Sequence, residues 1–80
     1  MNRQELEKTA AQLLFGTRGF MLPDSNLGDT DYKNKIISGV KNVLSLKKDT
    51  LDKIQNKKAK KYTECLNSIE KLNLILNKLS

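Results

Sequence analysis

Histidine and tryptophan are missing from the 80-residue chain, and cysteine and proline each occur once, as Cys65 and Pro23. Without histidine there is no imidazole to act as a general base near neutral pH or to ligate zinc. A single thiol makes neither an internal disulfide nor a zinc site, so nothing points to an oxidising compartment. A Gly-rich phosphate loop and a nucleophile elbow are also lacking. The carboxylates that lie close in sequence, Asp29 with Asp31 and Asp49 with Asp52, suit the acidic first turn of a helix better than acid–base chemistry. The oxygen-rich run through Asp24, Ser25, Asn26, Asp29 and Asp31 lacks the glutamate and the order of a calcium loop, and reads as turn chemistry. The expectation is a protein that is not an enzyme, with no catalytic residue, no metal and no cofactor.

Long hydrophobic runs are absent too. None approaches the ~18 residues that span a bilayer, and MNRQELEK has no apolar stretch of the kind a signal peptide needs. Cytoplasm is the expected location, with membrane attachment disfavoured because the lysines are not interleaved with Trp or Phe. Aromatics are limited to Phe15, Phe20, Tyr32 and Tyr62, so the core must come from Leu, Ile and Val. Eighty residues make one domain, 1–80, near the lower size limit for a chain without disulfides or metal. Such a chain buries only about 60% of the surface it exposes when unfolded, which makes self-association a reasonable expectation.

What the chain has in abundance is lysine. The formal net charge is +6, and the segment from Lys41 to Tyr62, with eight lysines against Asp49 and Asp52, accounts for all of it. This asymmetry steers toward phosphate, anionic lipid or an acidic protein face. The bland alternative is a solvated helix surface.

Apolar spacing predicts an all-α fold: a small helical bundle with a short N-terminal helix and a long helical hairpin, self-association being one way to complete it. The first helix is expected at about 3–15, with Asn2 as cap, Glu5 three residues on, and Leu6, Ala10, Leu13 and Leu14 at helical spacing. Gly16 follows as a left-handed terminator. Residues 16–29 form a loop that is unexpectedly apolar at Phe20, Met21, Leu22 and Leu27. Those residues either fold back as a lid over a small core or, with Arg18, Phe20 and Met21, project as a protein-contact tip. A second helix is expected at about 30–55, capped by Asp29 or Thr30 and striped by Ile36, Ile37, Val40, Val43, Leu44, Leu51 and Ile54. Gly39 suggests a close helix–helix contact.

Lys47, Lys48 and Lys58 fall on or beside that same stripe, so one unbroken helix to the C-terminus would bury or strain them. Two breaks would relieve this: a new helix capped by Asp49, or a hairpin turn near Asn56–Lys60 with Asn56 left-handed. The second is favoured because it gives arms of matched length. A third helix is then expected at about 60–79, with Tyr62, Cys65, Ile69, Leu72, Leu76 and Leu79 along one face. That face predicts a buried, inert Cys65. Leu72, Leu74, Ile75, Leu76 and Leu79 surround the axis, so this end is expected to be covered on more than one side, by an oligomer or a partner.

Two kinds of function remain. The favoured one is a small basic binding protein, a regulator or inhibitor of the phage or plasmid accessory type. It would engage a protein or nucleoprotein partner through lysines and the apolar C-terminal helix. The alternative is direct, sequence-nonspecific nucleic-acid binding, in which Lys47, Lys48, Lys53, Lys57, Lys58, Lys60 and Lys61 contact phosphates. Only two arginines occur, both far from the cluster, so base readout is not supported. A further alternative, by analogy of size and shape alone, is an immunity protein, antitoxin or secretion chaperone with a purely protein partner.

Overall fold

The computed structural model describes residues 2–79. Its helices are α1, Arg3–Gly16, α2, Asp29–Lys53, and α3, Lys60–Leu79. The fold is all-α, and α2 and α3 pack as an antiparallel hairpin. No helix among the described residues is long and apolar enough to cross a membrane.

Each helix starts for a local reason. The Asn2 side chain accepts a hydrogen bond from the Glu5 backbone N–H at 2.9 Å, satisfying one of the free donors at the head of α1. At the head of α2 the expected Asp29 or Thr30 cap is not used. Gly28 holds the cap position without a side-chain bond, and Asp29 is already helical. The Asp29 carboxylate instead meets Arg3 at 3.2 Å, and Asp29 and Asp31 place negative charge where the helix dipole favours it.

Helix α2 runs unbroken through Asp49, so the break lies at the other candidate, residues 54–59. Asn56 does not adopt the left-handed conformation expected of it, since no described residue other than glycine has positive φ. Its side chain accepts from the Lys58 N–H at 3.0 Å and its carbonyl from the Ala59 N–H at 3.0 Å. This is an asparagine turn closed by the side chain, which needs no left-handed residue. Gly16 likewise does not end α1 in the left-handed conformation. The helix includes it, and the left-handed glycine is Gly19, at φ 92°, three residues later in the turn.

The relative direction of α1 gives the molecule its shape. Its first residue, Arg3, reaches Asp29 and lies over the Tyr32 ring at 4.1 Å, at the start of α2. Its last residues, Leu13 and Gly16, share a depression with Lys47, far along α2. Helices α1 and α2 therefore run the same way, and the chain must return the length of α1, about 21 Å at 1.5 Å per residue, before α2 can begin. Residues 17–28 make that return, which explains a loop too long for an ordinary helix connection.

The loop's apolar residues divide. Phe20 is only 4% exposed and packs over Gly39, where an added Cβ would lie 2.9 Å from the ring. Gly39 thus marks a close approach, made by the loop and not by another helix. Phe20 belongs to the core and is not a projecting contact. Met21, at 82% exposure, is on the surface.

Leu6, Ala10 and Leu13 of α1, Tyr32, Ile36, Val40, Val43 and Leu44 of α2, and Ile69, Leu72 and Leu79 of α3 close the core with Phe20. Leu72 and Leu79 are therefore buried within one chain and are not surface for a partner. Leu74 is 63% exposed, and Ile75 and Leu76 are half-buried.

Arg3 ties the returning loop down. It donates to the Leu27 carbonyl at 2.7 Å, the Ser25 carbonyl at 2.9 Å and Glu7 at 3.1 Å. The Glu7 hydrogen bond, outweighing the opposing effect of burial and aided by Asp29, raises its pKa above the ordinary arginine value, so it stays cationic. A lysine ammonium is compact and lacks the planar fork that serves these acceptors together. Arg3→Lys is expected to leave the helices formed but to speed thermolysin cleavage within residues 17–28 by at least about tenfold, as local opening becomes easier. An unchanged cleavage rate would show that Phe20 alone secures the loop.

Candidate functional site

The lysines on the apolar stripe find their explanation in the length of α1. Helix α1 packs along α2 only as far as Gly16, and a depression of about 220 Å³ lies between its end and α3. Beyond that point the stripe of α2 no longer faces a third helix, and Lys47 occupies it without being driven into the core. The half-buried Lys47 stands where that depression meets the open valley between α2 and α3.

Past Lys47 the valley is an open groove of about 550 Å³. Helix α2 contributes Lys47, Thr50 and Lys53 to its wall, Ile54 follows directly after the helix, and α3 contributes Lys61, Glu64, Cys65 and Ser68. A second depression at the end of α1 shares Lys47 and Ser68 with it and adds Lys71, so cationic side chains recur along the valley. Among the described residues Glu64 is the one carboxylate lining the groove, and it faces Lys60 at 3.8 Å across one turn of the helix. That is an exposed pair of small energetic weight.

The Cys65 thiol donates to the Lys47 carbonyl at 3.2 Å, pinning α3 to α2 at the head of the groove. It is half-buried where full burial was expected. The Thr50 hydroxyl donates to the Leu46 carbonyl at 3.0 Å and keeps its oxygen able to accept from a ligand.

The seven candidate lysines do not form one surface. Lys47, Lys53 and Lys61 line the groove, Lys57 and Lys58 sit in the hairpin turn, and Lys60 is the first residue of α3. Lys48 is exposed and does not line the groove. Arg18 and Met21 are exposed in the loop, and the structure brings neither of them to the groove walls. Thr50, Glu64 and Ser68 in the groove, and Lys71 in the adjoining depression, are residues that the lysine count passed over. A signal for them exists in the sequence: Lys61, Glu64, Ser68, Lys71 and Ile75 recur in steps of three and four, a mostly polar stripe flanking the apolar one.

No family model, curated protein or solved structure matches this chain.

Proposed function

We infer that the protein acts by binding and not by catalysis, as a small regulator or inhibitor that engages an acidic face of a protein or nucleoprotein partner through the distal half of its hairpin. The observation that supports this most directly is Lys47, Lys53 and Lys61 lining an open groove in which Glu64 is the single carboxylate among the described residues. Long-range attraction of this sign speeds encounter and excludes basic partners, while the half-buried Ile54 and Cys65 supply contact that phosphate binding does not require. The thiol's partner is a backbone carbonyl and not a base, which gives no support to a nucleophile.

The test compares the wild-type chain with a variant carrying Lys53→Glu, Lys57→Glu, Lys58→Glu and Lys61→Glu, all exposed positions. Binding to polyglutamate, duplex DNA and single-stranded RNA is measured by anisotropy at 50 and 200 mM salt. The wild type is expected to bind polyglutamate, more weakly at the higher salt, and the variant to lose at least about tenfold while keeping its helix content. Equal affinity of the two chains removes this reading. Tighter binding to both nucleic acids than to polyglutamate, with a steep salt slope, replaces it with direct phosphate binding.

A further inference from the structure

We propose that the open half of the valley takes a two-turn segment of an acidic amphipathic helix from the partner, lying end to end with α1. This rests on the binding reading above and names the form of its ligand. The first argument is shape. Helix α1 already packs against one end of α2, and it stops at Gly16 while α2 continues to Lys53, which leaves the other end of the α2–α3 hairpin without a covering helix. From Lys47 to Ile54, and from Lys61 to Ser68, the walls extend for seven residues, about 10 Å at 1.5 Å per residue, or two helical turns.

The second argument is the chemistry of the walls. Ile54 and Cys65, both half-buried, offer apolar contact, one from each side of the valley. Lys53 and Lys61, one on each helix, provide exposed ammonium groups that meet carboxylates flanking an apolar residue on the incoming helix. Residues three and four apart share a helix face, so Glu–x–x–Leu–x–x–x–Glu spacing presents this complement. Recognition is then helix-in-groove, with charge selecting the partner.

A nucleic-acid strand fits this groove less well. No aromatic ring lines it for a base to stack on, and no arginine lines it for bidentate contact.

Cys65 is the only thiol in the chain and lies in the groove wall, so its alkylation reports occupancy there. The full-length chain is titrated with three probes. These are a 14-residue peptide with leucines on one helical face and glutamates beside them, a scrambled peptide of identical composition, and 14-mer oligothymidylate. Iodoacetamide modification of Cys65 is followed by mass spectrometry and affinity by anisotropy. The amphipathic peptide is expected to slow alkylation at least about tenfold at saturation, with the scrambled peptide binding about tenfold more weakly, a difference of roughly 1.4 kcal/mol. Lys53→Glu with Lys61→Glu is expected to weaken the amphipathic peptide by a similar factor without changing helix content.

Equal binding of the two peptides overturns the helix proposal and leaves the acidic-partner reading standing. Binding without protection of Cys65 places the ligand elsewhere and overturns the groove. Protection by oligothymidylate alone puts a phosphodiester strand in place of the helix. If no probe binds, and polyglutamate also fails, both readings fall together.

Discussion

Phe20→Ala is expected to remove about 3–5 kcal/mol of stability, the usual range for truncating a buried phenylalanine. For a domain of this size, whose whole stability is of the order of 4–12 kcal/mol at 0.05–0.15 kcal/mol per residue, such a loss approaches unfolding. The loop's position near the surface lets it settle partly into the space, which favours the lower end. Gly39 makes the prediction sharper.

In the wild type, Gly39→Ala gains about 1 kcal/mol of helix propensity but sets a Cβ 2.9 Å from the ring. Such overpacking costs about 1–3 kcal/mol, so the net effect is neutral to destabilising. In the Phe20→Ala chain the obstruction is gone, and the same substitution stabilises by about 1 kcal/mol. The sign reversal is a coupling that two distant sites would not show. Urea denaturation of the four chains measures it, and additivity of the two changes would mean that the ring does not rest on Gly39.

The hairpin and the core faces were legible in the sequence because burial imposes a period. Leu6, Ala10 and Leu13, then Ile36, Val40 and Val43, then Ile69 and Leu72 mark the inward faces, and all are buried. The conflict between Lys47 and its stripe was visible too, although its resolution was not. A charged residue in an apolar register means either that the helix breaks or that the covering element ends. Both happen here, the second at Gly16 and the first at residues 54–59. Nothing in local periodicity reports that α1 and α2 run the same way, because direction is set by which ends meet in space. The long apolar loop was the one trace of it.

End signals were less secure. Gly16 and Gly19 both suit a left-handed turn, and Asp29 suits a cap until Arg3 claims its carboxylate. The groove was half legible: its lysines stand out by count, while Thr50, Ser68 and Glu64 gain meaning only once the valley is seen to be open.

The C-terminal leucines provide the second large effect, since they separate a core inside one chain from an interface between chains. Leu79 is 1% exposed and belongs to the cluster that holds Tyr32 and Ile36 of α2. Leu79→Ala is expected to cost about 2–5 kcal/mol at every protein concentration, because the contacts it loses lie within the same molecule. Leu74, 63% exposed on the opposite side of α3, has few contacts to lose, and Leu74→Ala is expected to change stability by no more than about 0.5 kcal/mol. Thermal unfolding at micromolar and at hundred-micromolar chain decides between the two origins. A midpoint that is independent of concentration for all three chains shows that one molecule covers its own leucines. A wild-type midpoint that rises with concentration, and stops rising in Leu74→Ala, would show a second copy seated on the outer face of α3, since association stabilises by mass action only where the folded state is the one that binds.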